Sequence, residues 1–345
     1  MGKQSSSVGD GGGAVSSSAI GKRTWREDVG VFVRFCRLRY LAYSVLVHLM
    51  GAMAALADDK VDVTEFNAVA FVKVQLILWW VHVVTHWSND YYDLGADSLN
   101  TKRGTYNGGS GVLVDGLITP AFAYYGAWIG TIVTAGYVAL LNAIDTESPF
   151  RGQMAMLVAA AVGISWQYTA PPLRLQYRGF GELCIALVFA VLIPLVGAAS
   201  QIGTGLLYVP VPLRPVMPLL ALQQFARMII MNAPDIDSDL VAGKLTFTAR
   251  VGLRRASILY TLVQVIMTGL PPILVAYGRM SVPVAIAFAV VAPQGWVIAN
   301  DLHRNNIAKL PFMGTLHVAS QAASLLVAIS CLAYQRSTPH HHGQD

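Results

Sequence analysis

Marking apolar and polar positions along the chain gives nine long apolar segments. They run at about 40–57, 67–87, 121–143, 152–170, 181–200, 215–233, 256–278, 281–300 and 310–334. A helix needs ~20 residues to cross a bilayer, and each segment comes near that length. Several contain Pro or Gly, which membrane helices tolerate when neighbouring helices satisfy the freed backbone groups. Pro283 and Pro293 make the eighth segment the weakest of the nine. No short-period repeat is visible. The pattern predicts an all-α integral membrane protein with nine transmembrane helices over residues 25–336. Residues 1–24 are rich in Gly and Ser and are read as a disordered tail, with a second tail at 337–345 that carries His340, His341 and His342. The opening Met1-Gly2-Lys3-Gln4-Ser5-Ser6 fits an N-myristoylation pattern. That pattern is short, and an acyl anchor adds little to a chain with many spans, so the tail is read as unmodified.

Composition agrees. The chain is 54% hydrophobic and 12% charged, and its mean hydropathy is +0.52. Soluble domains carry about 25% charged residues. Half of that, with long apolar runs, excludes a soluble enzyme, a nucleic-acid binder and a disordered protein. Cys36, Cys184 and Cys331 are too far apart to form a disulfide framework or a metal motif.

The formal net charge of +5 is better understood by its position than by its sum. The N-terminal tail and the loops after the even-numbered segments hold 17 of the 24 Lys and Arg. The opposite loops and the C-terminal tail hold 5, and Lys73 and Arg227 lie inside segments. The positive-inside rule then places the N-terminus and the even loops in the cytosol and the C-terminus on the other side.

Acids are scarce, 19 in all, and six fall in two short clusters. The first is Asn89-Asp90-Tyr91-Tyr92-Asp93-Leu94-Gly95-Ala96-Asp97, at the end of the second segment. The second is Asp235-Ile236-Asp237-Ser238-Asp239, at the end of the sixth, so both open on the same cytosolic side. Asn89, Asp93 and Asp97 are spaced i, i+4, i+8, which lines their oxygens along one helix face. Asp235 and Asp239 repeat the step. Two such ladders facing each other repel unless cations sit between them. Mg²⁺ suits the position, since it binds through one or two carboxylates completed by water and substrate phosphates. A metal held this way neutralises a departing diphosphate. Asp90 and Asp237 lie off the ladder faces and are read as supporting or solvated groups.

At these residues the chain resembles the UbiA superfamily of intramembrane prenyltransferases. Asn89, Asp93 and Asp97 meet its first motif; Asp235 and Asp239 meet its second, followed by Gly243-Lys244-Leu245-Thr246 and Gly252. Tyr168-Thr169-Ala170-Pro171-Pro172-Leu173-Arg174 and Tyr177-Arg178-Gly179-Phe180-Gly181-Glu182-Leu183 also look like family sequence. The resemblance runs from about 30 to 335. It implies a helical bundle around a central cavity, capped on the cytosolic side by two Asp-rich loops. Asn89-Asp90-Tyr91-Tyr92-Asp93 and Gly108-Gly109-Ser110-Gly111-Val112-Leu113 look closest to the menaquinone-type branch. Two positions depart from it. Pro234 stands where that branch usually has Arg, and Tyr168 is followed four residues later by Pro172 in place of Lys.

Other residues divide between site and scaffold. Lys102 and Arg103 beside the first ladder, and Lys244 and Arg250 beside the second, are placed to clasp a diphosphate or simply to orient the loops. Arg227, eight residues before Asp235, sits about 12 Å deeper and should face a cavity, paired with the diphosphate, Glu182 or a motif Asp. Lys73 lies near the far membrane face and can snorkel. His82 and His86 share a helix face, where hydrogen bonding is a better fit than metal ligation. Tyr168 and Tyr92 adjoin the motifs and are read as cavity residues able to stabilise a carbocation. Trp79, Trp80, Trp87, Tyr91 and Trp166 are read as interfacial belt or packing.

Together these residues describe a Mg²⁺-dependent enzyme that ionises a prenyl diphosphate inside the membrane. The broken Arg and Lys positions lean the reading toward a UbiA-type terpene cyclase acting on farnesyl or geranylgeranyl diphosphate. The competing reading is transfer of the prenyl chain to an aromatic acceptor, a naphthoate or a phenolic acid. A transporter is a remote third, because transporters place polar groups near the bilayer midplane rather than at one surface.

Overall fold

A computed structural model describes residues 23–144, 154–202 and 208–338. Most of the expected tail residues, including Gly2, fall on residues 1–22 and 339–345, outside the described residues; at the inner edges Thr24 caps the first helix and Ser337 ends the last. Every element among the described residues is helical. Helix α1 (Trp25–Cys36) opens on a capping box: Thr24 accepts from the Glu27 backbone while the Glu27 carboxylate accepts from the Thr24 backbone N–H at 2.6 Å. Its Trp25, Val29, Phe32 and Val33 form an exposed face at i, i+4, i+7, i+8, and Phe35 and Cys36 turn inward. The apolar-run count passed over this helix because its charges interrupt the run.

The next helices are α2 (Leu41–Leu56), α3 (Ala68–Tyr92), the short α4 (Leu94–Leu99), α5 (Pro120–Ile144) and α6 (Ala155–Thr169). Helix α7 (Gly181–Leu187) passes through a π-helical turn at Val188–Leu192 into α8 (Ile193–Ile202). Then come α9 (Leu213–Asn232), α10 (Ile236–Val241), α11 (Phe247–Val251), α12 (Leu253–Ala276), α13 (Val282–His303) and α14 (Leu310–Ser337).

Eight helical stretches among the described residues are long and apolar enough to span a bilayer, and each coincides with one of the apolar segments. The remaining segment, the fourth, appears as the 15-residue α6. It follows residues 145–153, which lie outside the description. The proline-bearing eighth segment forms one continuous helix. Pro283 sits in its first turn, where the missing N–H is unsatisfied anyway, so only Pro293 removes an internal bond.

The bundle packs as a closed circuit in which α2 meets α8 and α14, α14 meets α13 and α9, and α3 meets α5 and α6. Small residues set the tightest crossing. A Cβ at Gly51 would strike the Pro194 carbonyl, and one at Gly197 would strike the His48 carbonyl, so α2 and α8 touch backbone to backbone. At the bundle end away from the acidic motifs, buried Asp58 accepts from the Tyr208 hydroxyl and the Val211 backbone, each at 2.7 Å. Arg336 donates there to the Leu56, Val61 and Val63 carbonyls. Those ties close the far end and leave the acidic end to form the cap.

Enlarging Gly197 should therefore cost stability, while enlarging an open glycine should not. Gly197→Val is expected to lower the thermal midpoint in detergent by an amount equivalent to about 1–3 kcal/mol. Gly136→Ala in α5, where an added Cβ meets nothing within 4 Å, is expected to leave it unchanged or raise it slightly.

Candidate active site

Helix α3 ends at Tyr92 and the chain turns at Asp93 into α4. The break does not disturb the first ladder. Asp93 N–H still donates to the Asn89 carbonyl at 2.9 Å and Asp97 N–H to the Asp93 carbonyl at 2.8 Å, so the i, i+4 step survives. The second motif follows α9 in the same way, with a 3-10 turn at Ala233–Asp235 and then α10, which carries Asp239. Helix α4 packs against α10, bringing the two motifs together.

Between them lies a cavity of about 330 Å³. Asn89, Asp93, Asp97, Asp235, Asp239 and Lys244 line its polar end; Leu78, Val81, Phe189 and Val318 line the rest. Leu78 lies eleven residues before Asn89 on α3, about 16 Å along the axis. The space therefore fits a molecule with an anionic head and an apolar tail.

The polar end is a connected network. The Asn89 amide donates to Asp93 at 2.9 Å. Buried Lys244 donates to the same Asp93 oxygen at 3.0 Å and lies 3.9 Å from Asp239, joining the two motifs. Burial alone lowers a lysine pKa, but the carboxylates of Asp93, Asp239 and Asp97 outweigh it and hold Lys244 well above its ordinary value. Asp97 moves the other way: burial and the neighbouring Asp93 charge push it up to about 7. Burial likewise raises Tyr177, helped by Asp93 beside it. The second Asp93 oxygen, Oδ1, is buried and accepts no hydrogen bond. A carboxylate cluster with one orphaned oxygen suits a cation, although among the described residues no three His, Cys, Asp or Glu side chains stand together as a ligand set. Hard-cation binding through pairs of carboxylates completed by water and phosphate is compatible with that spread.

Sequence reasoning missed the amides that hold the second motif. Asn100 and Asn107 both donate to Asp235 Oδ1, at 2.9 and 2.7 Å, from the loop after the first motif. Gly109 adopts a positive φ of +73°, and a Cβ there would run into the Asp97 carboxylate. The Gly-rich stretch is thus a close backbone cover over the acids. It was visible as composition, but its partners are far away in the chain.

Several expected residues lie elsewhere. Lys102 pairs with exposed Asp237 at 3.0 Å, and Arg103 with Asp115 at 2.9 Å; neither lines the cavity. Arg250 is exposed and donates to the Leu245 carbonyl. Tyr92 points away as well, against Tyr91 and Trp166. In each case the side chain is claimed by a nearer partner on the outside of the cap. Tyr168, Arg227, His82 and His86 do line the cavity. Arg227 makes no ion pair among the described residues, and its Nε has no hydrogen-bond partner, so the expected pairing with Glu182 or a motif Asp does not occur. Glu182 is occupied, accepting from Asn232 at 2.8 Å and from the Thr248 backbone.

Asp90 turns out to be a structural anchor. It is buried, forms an ion pair with Arg37 at the left-handed cap of α1, and accepts from both the hydroxyl and the backbone of Ser110. The two off-ladder acids should therefore behave differently. Asp90→Ala strands a buried cation and is expected to cost about 3–5 kcal/mol, read as loss of folded protein in detergent. Asp237→Ala removes only an exposed pair and is expected to change stability by about 0.5 kcal/mol or less in the same measurement.

The UbiA prenyltransferase family matches residues 44–333 of this chain. The 1,4-dihydroxy-2-naphthoate octaprenyltransferase of Bacillus subtilis (strain 168) is 24% identical over 256 residues, covering 72% of each chain. The UbiA prenyltransferase domain-containing protein 1 of Rattus norvegicus is 26% identical over 244 residues, 69% of this chain and 66% of that one. Among solved structures, an apo UbiA homologue from Aeropyrum pernix K1 superposes with a TM-score of 0.62 at 17% identity, covering 84% of this chain and 98% of that one. A UbiA homologue from Archaeoglobus fulgidus bound to GPP and Mg²⁺ gives 0.54 at 15% identity, covering 86% and 99%. The relative named as a dihydroxynaphthoate octaprenyltransferase agrees with the menaquinone-type resemblance of the first motif, and the structures agree on the fold. The chain belongs to the UbiA prenyltransferase family and is a prenyl-chain-handling membrane enzyme.

Proposed function

We propose that this enzyme transfers a prenyl chain from an allylic diphosphate to an aromatic acceptor of the naphthoate or phenolic-acid type, with Mg²⁺ at the acidic end of the cavity. One observation carries the reading: two acidic motifs from distant parts of the chain meet at one end of a cavity whose walls include Leu78, Val81, Phe189 and Val318. The Bacillus subtilis relative, named as a naphthoate octaprenyltransferase, supports transfer over cyclisation. The Archaeoglobus fulgidus homologue with GPP and Mg²⁺ supports the ligand classes.

The residues that would hold the metal are Asn89, Asp93 and Asp97 on one side and Asp235 and Asp239 on the other. When bound there, Mg²⁺ supplies charge neutralisation for the departing diphosphate. Lys244, between the motifs, adds a cation at the same place and steadies the diphosphate oxygens. Arg227, free of carboxylate partners among the described residues, gives the deeper wall a second positive charge. Apolar walls exclude water from the allylic cation, and Tyr168 beside the mouth offers an aromatic face to it. The 17-to-5 distribution of Lys and Arg supports a cytosolic position for this mouth in a multi-pass protein.

Cyclisation of a farnesyl or geranylgeranyl chain is the second reading, and a specific observation keeps it. Pro234 occupies the 3-10 turn immediately before Asp235, where the menaquinone-type pattern has Arg. The cavity then lacks that guanidinium for handling an acidic acceptor.

Asp93→Asn or Asp239→Asn is expected to reduce Mg²⁺-dependent pyrophosphate release in membranes by at least about 10²-fold; full activity in either variant refutes the two-motif site. Lys244→Gln is expected to lower kcat/KM for the prenyl diphosphate by about tenfold or more, consistent with loss of one charge-assisted contact. Incubating membranes with geranylgeranyl diphosphate and Mg²⁺, with and without a dihydroxynaphthoate, separates the two readings. Product that requires the acceptor supports transfer. A cyclic hydrocarbon formed without it replaces transfer with cyclisation.

A further inference from the structure

Beside the main cavity, and sharing Arg37 and Arg39 with it, a second pocket opens between α1 and the Gly-rich cap loop. Four guanidinium groups line it, those of Arg34, Arg37, Arg39 and Arg103. Among the described residues two carboxylates form ion pairs with them. Asp115 is shared by Arg34 at 2.6 Å and Arg103 at 2.9 Å, and Asp90 pairs with Arg37. Arg39 has no ion-pair partner among the described residues; its guanidinium lies over the Tyr40 and Tyr106 rings, 5.6 Å from each. Arg37 Nε and Arg103 Nη1 are buried donors with no acceptor. Arg34 and Arg103 also crowd together over Gly111, close enough that a Cβ there would meet both. Like charges converge here with donors to spare, which is the arrangement of an anion site.

The rim tells which anion. Val33 and Leu38 are 45% and 43% exposed at the pocket edge, and the exposed apolar face of α1 continues from Val33. Phe35 on the inner side of α1 touches Phe122 of α5, so the helix lies along the flank of the bundle. None of the motif residues Asp93, Asp97, Asp235 and Asp239 lines this pocket.

We propose that this pocket is a second, metal-independent phosphate site, distinct from the cavity mouth. Guanidinium forks match phosphate oxygens bidentately. The group comes either from an acidic phospholipid, its acyl chain lying along Val33 and Leu38, or from free pyrophosphate. The two sites share a loop: the segment that carries Arg103 also carries Asn107, which holds Asp235, and Gly109, which covers Asp97.

The test uses the full-length protein in nanodiscs with EDTA present, so that no divalent cation contributes. Native mass spectrometry compares retention of phosphatidylglycerol with that of phosphatidylcholine, before and after addition of inorganic pyrophosphate. Wild type is expected to retain the acidic lipid preferentially. Arg103→Gln and, separately, Arg39→Gln are expected to weaken retention roughly fivefold each, as for loss of one basic contact at a membrane surface. Asp239→Asn is expected to leave it unchanged. Retention that resists pyrophosphate assigns the site to lipid. Pyrophosphate bound in place of lipid, and lost in the same arginine variants, assigns it to the free anion. Equal retention of both lipids with no bound pyrophosphate overturns the proposal. Anion binding that Asp239→Asn alters and both arginine variants preserve places it in the main cavity and overturns it as well. Because no metal or prenyl substrate is used, failure here leaves the transferase reading standing.

Discussion

Lys244 lies buried between carboxylates contributed by two helices, 3.0 Å from Asp93 and 3.9 Å from Asp239. Without a positive charge at that point, the ends of α3 and α9 would carry like charges toward each other in a poorly solvated space. The repulsion would push the two motifs apart. With it, α4 packs on α10 and the cap closes over the cavity. The lysine is placed by a local turn: its backbone N–H donates to the Asp239 carbonyl at 2.7 Å, and Thr246 just beyond caps α11. The same short segment therefore supplies an acid, the base that tolerates it, and the start of the next helix.

A second layer of restraint holds the cap from outside. Arg34 and Arg37 of α1 tie to Ser110, Asp115 and Asp90, while Asn100 and Asn107 reach inward to Asp235. The Gly-rich loop is thus fastened on both sides. Gly108, Gly109 and Gly111 adopt positive φ, and Gly109 lies closely against Asp97. The far end of the bundle is anchored independently by Asp58 and Arg336, and the cavity carries both acidic motifs at its other end, with Leu78, Val81, Phe189 and Val318 along its walls. Such a division suits a substrate with a charged head and a long apolar tail.

The apolar pattern made the membrane-spanning helices legible, because a helix that crosses a bilayer needs about twenty predominantly apolar residues. It missed α1, whose Arg26, Glu27, Asp28 and Arg34 beside an exposed apolar face suit an interface rather than a span. Fixed i, i+4 spacing made the two acidic ladders legible too, since residues on one helix face are set by local geometry alone. The same reasoning misplaced Lys102, Arg103 and Tyr92. Adjacency to a motif in the chain does not determine which side of a cap a long side chain takes, and each found a closer partner on the outside.

By itself, then, the sequence determined the all-helical membrane class, the rough position of the apolar helices, and the two spaced acidic motifs, because all of these follow from composition and short-range periodicity. Tertiary structure alone decided which bases serve those acids. Lys244 and Arg227 reach the cavity while Lys102 and Arg250 do not; Asn100 and Asn107 hold Asp235 across 135 and 128 residues; and Asp90 anchors the cap through Arg37, 53 residues before it. Charge pairing in a buried space is settled by which helices meet, and no local pattern in the chain records that meeting.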